Sequence, residues 1–261
     1  MVNQDRRTHG VRGSPETTLG SVYNIDALRT GELDFAIVQS DLLFAAYNGQ
    51  ARWLGHGFLG LRAVMSLYPE LVTIMARADT SIRDLGHLAG RRLNVGSRDS
   101  AGLGWRGGEQ IHPVELRTGT SVSALCSGAV DASLMIVGHP SPAVTAQRAA
   151  CAVNFVAVSG PAIDQLVHNH PYYQCGTIGA PAGLATEVPT FGVRAILVTS
   201  ASVDARIVAA ITQQLLAHQS ELRTMLPMLA SLATDEMIKD EQGAPLHPGA
   251  AMVYARLEQH E

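Results

Sequence analysis

Apolar and polar positions along this chain switch repeatedly between two periods, and the switches mark its elements. Short β-rich apolar runs stand at residues 35–38, 71–77, 133–137, 155–158 and 191–199. Each is of strand length. Residues 91–96 form a further strand that runs into small polar residues. Between the runs the period becomes helical. Val22, Ile25 and Leu28 share one face, as do Val122 and Leu125, and Ile207, Val208, Ile211 and Leu215 share another within residues 204–218. Residues 78–90 open on Asp, Thr and Ser and stop on Gly90, which predicts a short helix. Pro161 suits the first turn of a helix over 160–167. Residues 176–189, with Gly176, Gly179, Pro181, Gly183 and Pro189, read as a loop. Residues 221–230 and 235–238 read as a helical tail. His247, flanked by prolines, is expected to fix a turn before a last helix from Ala250. Strands alternating with helices in this way predict an α/β fold.

The pattern also repeats. Leu28-Arg-Thr-Gly-Glu-Leu-Asp34 and Leu125-Cys-Ser-Gly-Ala-Val-Asp131 match at a constant offset of 97, since 128−31 and 131−34 agree. Each copy ends an amphipathic helix on a glycine, where a left-handed residue is needed. Each then passes an apolar residue and an Asp into an apolar strand. Two such half-crossovers, a lobe's length apart, point to two similar α/β lobes.

Composition narrows the function. The chain has 261 residues, of which 46% are hydrophobic and 16% charged. That length suits one large domain or two smaller lobes, and the apolar content argues against disorder. A net charge of −4 excludes a broad nucleic-acid-binding face. No apolar run approaches the roughly 20 residues of a membrane helix. The first ten residues, Met-Val-Asn-Gln-Asp-Arg-Arg-Thr-His-Gly, lack the apolar centre of a secretory leader, which leaves retention in the cytosol open for the chain as it stands. Cys126, Cys151 and Cys175 form no metal-binding knuckle. His168 and His170 would face one side of a strand, with no third metal ligand near. No Gly-x-Ser-x-Gly elbow, phosphate-binding Walker loop or His-Glu-x-x-His helix occurs, so no catalytic residue, metal or cofactor is expected.

Ten motifs then stand in order: Gly20-Ser-Val-Tyr-Asn-Ile, Gly31-Glu-Leu-Asp, Val38-Gln-Ser-Asp41, Ala46-Tyr-Asn-Gly49, Leu67-Tyr-Pro-Glu70, Gly138-His-Pro140, Gly160-Pro-Ala-Ile-Asp164, Pro171-Tyr-Tyr173, Thr190-Phe-Gly-Val193 and Ala244-Pro-Leu-His-Pro-Gly249. From about Val11 onward the chain resembles the TAXI-type solute-binding proteins of tripartite ATP-independent periplasmic (TRAP) transporters. The resemblance implies a type II periplasmic-binding-protein-like fold, two α/β lobes with a hinge and an interlobe cleft. Lobe I would comprise residues 1–78 and 190–261, and lobe II residues 79–189, with the hinge near 77–80 and 189–192. It implies a monomeric, extracytoplasmic protein that binds a small carboxylate, such as a glutamate-like amino acid, a 2-oxoacid or a dicarboxylate, and delivers it to the TRAP membrane permease subunits. Against the family pattern, the first strand, its Gly-rich loop and most of the first helix are missing, and residues 97–122 are shortened.

Carboxylate recognition needs backbone N–H groups at a helix start together with hydroxyl or guanidinium donors. Gln39, Ser40 and Asp41 end one strand, and Ser40 or Asp41 also suits a cap for the following helix. Ser97, Arg98, Asp99 and Ser100 end the equivalent strand of the second lobe, where an open α/β sheet binds ligands. His139 and Pro140 follow the strand of the second repeat. Thr190 and Phe191 stand where the chain returns across the hinge, with Phe191 equally suited to the core. Relatives often carry cysteines at the positions of Cys126 and Cys151, so the resemblance implies a disulfide between them in an oxidising compartment, with Cys175 free. Three buried thiols are the alternative. Two other functional readings stay open: an enzyme on the same fold, with His139 facing Asp41 or Asp99, and a truncated gene remnant that binds nothing.

Overall fold

The computed structural model describes residues 12–96, 111–116, 118–230, 232–238 and 243–258. In chain order the elements are α1 (Ser21–Thr30), β1 (Phe35–Gln39), α2 (Ser40–Tyr47), β2 (Leu61–Arg77), β3 (Arg92–Asn94), β4 (His112–Val114), α3 (Thr118–Ser127), β5 (Ala132–Val137) and α4 (Pro142–Ala150). They continue with β6 (Val153–Val156), α5 (Pro161–Asn169), β7 (Gln174–Ile178), β8 (Val188–Ser200), α6 (Ala205–Ala217), α7 (Gln219–Met225), α8 (Thr234–Ile238) and α9 (Pro248–Glu258).

The chain divides into two compact units, Met1–Tyr68 with Arg194–Glu261, and Pro69–Val193. The sequence reading set these divisions at 78/79 and 189/190, beside the ends of apolar runs. They fall instead inside β2 and β8, each of which belongs to both units.

In the first unit β1 runs antiparallel to β8, with Phe35 opposite Thr199 and Gln39 opposite Ala195. Ile25, Leu28, Val38, Leu43, Trp53 and Leu61 form one buried cluster there, and Val64, Met65, Val208, Met237 and Tyr254 another. The Tyr254 hydroxyl donates to the Val64 carbonyl at 2.6 Å, which ties α9 to β2. His247 donates its backbone N–H to the Ala63 carbonyl and accepts from the Gly249 N–H on Nδ1 at 3.1 Å. It thereby fixes the turn into α9.

In the second unit β2 pairs antiparallel with β5 over residues 71–76 and with β6 over residues 74–77. β3 lies parallel to both β5 and β4, and β7 runs antiparallel to β8. Val72 and Ile74 face one cluster, with Ile82, Leu93 and Phe191. Met75 faces the other, with Leu125, Val130 and Val144. β2 is thus buried on both faces, which explains why its sequence is a continuous apolar run rather than an alternation.

The repeat at offset 97 is a repeat of backbone geometry. Gly31 and Gly128 close α1 and α3 at φ +77° and +78°. The Gly31 N–H bonds the Leu28 carbonyl and the Leu33 N–H the Ala27 carbonyl; Gly128 to Leu125 and Val130 to Ala124 repeat this. Only a residue without Cβ takes these angles without strain.

Three of the expected elements change, and one helix is new. Residues 78–90 hold only one short 3₁₀ turn at Leu85–Leu88. The Ala157 N–H takes the Arg83 carbonyl and Asp84 bridges Ala157, so this stretch is held extended against the segment after β6. The stretch read as a loop from 176 begins inside β7 and ends inside β8, because Gly176 and Thr177 pair with Thr190 and Pro189 across the ladder. α4 has too few large apolar residues to signal itself; Ser141 caps it by accepting the Val144 N–H, with Pro142 in its first turn. His168 lies in α5 and His170 is its C-cap, so they share no strand face.

Gly192 sits where β8 passes β2. A Cβ there would come within 2.2 Å of the Glu70 carbonyl oxygen, a backbone atom that cannot swing aside. Gly192→Ala is expected to destabilise the protein by about 2 kcal/mol, the usual cost of overpacking. Urea unfolding measures it, and an unchanged midpoint refutes the close approach.

Candidate functional site

At the end of β1, in the first unit, Gln39 is the N-cap residue of α2, without a side-chain cap bond. The helix begins one residue before a start capped by Ser40 and two before one capped by Asp41, so both lie inside its first turn and neither is the cap. The Gln39 N–H donates to Ser21 Oγ at 3.1 Å. Ser40 is buried, and its Oγ accepts the Arg194 backbone N–H at 3.0 Å, joining α2 to β8. Arg194 in turn pairs with Glu236 at 3.0 Å. Asp41 is 7% exposed and accepts the Leu42 N–H on Oδ1 at 2.8 Å. Burial pushes its carboxyl up to about 6, against the lowering effect of backbone N–H groups.

In the second unit, His139 follows β5 and precedes a cis peptide bond to Pro140. Its Nε2 lies 2.9 Å from Thr73 Oγ1, in the second-unit part of β2. Its Nδ1 is buried with no hydrogen-bond partner. Desolvation lowers the imidazole pKa, so the ring is neutral at pH 7. Thr190 is buried and donates its hydroxyl to the Val72 carbonyl at 2.6 Å. Phe191 is 5% exposed and meets Tyr173 edge to face at 5.4 Å between ring centroids. Its place is in the packing of β8 on β2.

Asn94, at the end of β3, is a residue the sequence did not single out. Its Nδ2 donates to Ser121 Oγ at 2.7 Å and to Ser133 Oγ at 2.8 Å, while its Oδ1 accepts from the Gly96 and Leu116 N–H groups. All three side chains are buried. This node fixes how the chain leaves β3 toward Ser97. Ser97, Arg98, Asp99 and Ser100 themselves lie outside the described residues. Thr73 also went unremarked, although one hydroxyl inside Leu71-Val-Thr-Ile-Met75 was a signal: a polar group at the centre of an apolar strand must find a partner.

Cys126 and Cys151 are joined by a disulfide with their Cα atoms 5.7 Å apart. Gln147 on α4 directs Nε2 at both sulfurs, at 3.3 and 3.4 Å. Cys175 is a free, exposed thiol, which removes the alternative of three buried thiols. Among the described residues no group of three His, Cys, Asp or Glu side chains is arranged to hold a metal ion, and no helix is long and apolar enough to cross a membrane.

An open groove of about 1420 Å³ in the first unit is lined by Asn24, Ile37, Leu197, Ile207 and Leu215 among others, and by none of the candidate solute-contact residues. It exceeds the ~300–1,000 Å³ of ordinary small-molecule pockets. Size and lining both argue against it as the solute site.

A family model described as NMT1-like matches residues 1–256. The chain belongs to the NMT1-like family. Among solved structures it is similar to the aliphatic sulphonate binding protein SsuA from Escherichia coli, at 16% identity and TM-score 0.52, over 98% of this chain and 76% of that one. It is also similar to the alkanesulfonate-binding protein SsuA from Xanthomonas axonopodis pv. citri bound to MOPS, at 17% identity and TM-score 0.53, over 98% and 78%. A third is XAC2383 from Xanthomonas citri bound to chloride ion, at 11% identity and TM-score 0.51, over 100% and 91%. At these identities the likeness establishes the fold: this NMT1-like chain has the mixed α/β fold of periplasmic binding proteins.

Proposed function

We propose that this NMT1-like protein is an extracytoplasmic solute-binding subunit of a TRAP transporter, of the TAXI type, that binds a small carboxylate and passes it to the membrane permease without chemical change. The observation that carries the reading is the neutral, half-buried His139. It is anchored through Thr73 at the carboxyl end of β5 and keeps one ring nitrogen uncommitted. The carboxyl ends of strands are where open α/β sheets hold ligands. The family match and the ordered TAXI-like motifs support the class.

We assign solute contact to Gln39 and Asp41 in the first unit and to Ser97, Asp99, Ser100, His139 and Pro140 in the second. Ser40, Thr190 and Phe191 act by holding β8 in place, because their polar or aromatic groups are already engaged. The Cys126–Cys151 bond favours an oxidising, extracytoplasmic compartment.

Thermal-shift screening of the purified protein against amino acids, dicarboxylates, 2-oxoacids and sulfonates tests this. The sulfonates are included because two structures of like fold are named for binding them. A carboxylate at a hundred times its Kd should add about 2.7 kcal/mol of stability. Stabilisation by sulfonates alone reassigns the ligand class, and stabilisation by nothing removes the proposal. Loss of turnover in His139→Ala toward any panel compound would support the enzyme reading instead.

A further inference from the structure

The loop from α2 to β2, residues 48–60, is closed at its base and anchored. The backbone N–H groups of Gln50 and Phe58 donate to the Ala45 and Ala46 carbonyls at 2.8 Å, which brings both limbs to the end of α2. The limbs touch at two glycines: a Cβ on Gly57 would come within 2.9 Å of the Gly49 nitrogen. Trp53 is the anchor, 1% exposed, with its indole N–H donating to Asp26 Oδ1 at 3.2 Å. A loop pinned in this way is a fixed feature of the surface. Yet Leu54 beside the anchor is 77% exposed, and Leu59 is 69% exposed. Folding buries the tryptophan and leaves both leucines in water on a rigid mount.

The charge around them is of one sign. No Asp or Glu stands between Asp41 and Glu70, a stretch that holds Arg52 and Arg62, although the whole chain carries −4. Arg62 Nη1 donates to the Leu59 carbonyl at 2.7 Å. Arg29 Nη1 donates to the His56 carbonyl at 2.9 Å, and its guanidinium lies 5.4 Å from the Phe58 ring centre. Arg52 lies 5.8 Å from the Trp53 ring centre, next to Leu54. Among the described residues these three arginines meet one carboxylate, Asp26, at 3.9 Å from Arg52. Arg29 and Arg62 are held against the loop with no acidic partner, and Arg29 Nε and Nη2 have no acceptor.

We propose that the 48–60 loop docks the protein on an anionic phospholipid surface. Leu54 and Leu59 enter the boundary between headgroups and acyl chains, and Arg29, Arg52 and Arg62 supply the positive field that draws the loop there. Area decides between lipid and a protein partner. Two protruding side chains are a small part of the about 800 Å² per partner that a stable protein interface buries. A bilayer needs no fitted pocket, accepts single apolar side chains and gains a similar increment from each nearby arginine. The resulting attachment is weak and reversible. It depends on the first unit alone and is independent of the ligand class proposed above.

Flotation of the full chain with phosphatidylcholine vesicles, with and without phosphatidylglycerol, tests this. The protein should float with the phosphatidylglycerol vesicles at low salt, and high salt should release it. Leu54→Ser with Leu59→Ser should lower the partition coefficient about tenfold or more, and Arg52→Gln about fivefold. Both variants should keep the Tm of the unaltered protein, because the altered side chains face water. In Leu54→Trp, the added emission should move to shorter wavelength on binding and be quenched by bromine on the acyl chains. Absence of the protein from the phosphatidylglycerol vesicles at low salt overturns the proposal. Equal binding by the double leucine variant overturns it as well, since charge alone would then account for adhesion. Binding confined to membranes that carry integral proteins would make the loop a protein-docking surface and likewise overturn the lipid assignment.

Discussion

Replacing both Cys126 and Cys151 with alanine is expected to destabilise the protein by about 3.5 kcal/mol. The bond joins the last turn of α3 to the residue that caps α4, across a sequence separation of 25. The loop-entropy relation gives about 3.5 kcal/mol at 25 °C for a loop of that size, by restricting the unfolded chain. Alanine is the appropriate replacement because a serine would put a new hydroxyl into a half-buried site. Gln147 adds to the loss: its Nε2 contacts both sulfurs and its Oε1 is already buried without a partner. Urea unfolding of the double variant, and of the unaltered protein in excess reductant, should agree within error. A loss under about 1 kcal/mol in both would show that α3 and α4 hold their places without the bond.

Asp41→Asn is expected to stabilise the protein by an amount that grows from about pH 4 and is complete above about pH 6. The folded carboxyl titrates near 6 against an ordinary value of 3.8, so the folded state binds the proton more tightly than the unfolded chain does. Below about pH 4 both states are protonated and Asp41 carries no penalty. Between pH 4 and 6 the unfolded state releases its proton first, and stability falls as pH rises. Above pH 6 the full penalty is present. The gap between 3.8 and about 6 corresponds to about 3 kcal/mol as an upper figure. Asparagine keeps an oxygen for the Leu42 N–H and never ionises. The two proteins should unfold at nearly the same urea concentration at pH 4 and diverge in favour of Asp41→Asn at pH 7.5. Equal differences at both pH values would locate the effect in packing rather than in the buried charge. If Asp41 contacts the solute as proposed, the same substitution weakens solute binding, a direct exchange of stability for function.

Much of the architecture was legible in the chain. The helix–Gly–Asp–strand repeat appears as matched left-handed glycines and matched hydrogen bonds, because only glycine meets that backbone requirement cheaply. The apolar runs became strands, since a strand buried on both faces leaves no polar position to interrupt it. β2 was read from residue 71, but it starts at Leu61. Tyr68-Pro-Glu70 broke the apolar pattern at the residues where one unit gives way to the other, so the break marked a unit boundary rather than a strand end. The candidate site was less legible. The sequence pointed to His139 but not to Thr73, 66 residues away, whose hydroxyl orients its ring. It offered Ser40 as a helix cap or a ligand contact, whereas its hydroxyl is taken by the backbone of Arg194, 154 residues on.

The division between what one dimension holds and what three dimensions add follows from the range of the forces. Periodicity, glycine stops and proline starts act over a few residues, and they determined the α/β class, the repeat and the two-unit plan. Desolvation and hydrogen-bond partnership depend on which distant segments are brought together. They alone decided that burial raises the pKa of Asp41, that His139 is neutral with one buried nitrogen unpartnered, and that Thr190 and Phe191 hold a strand in place.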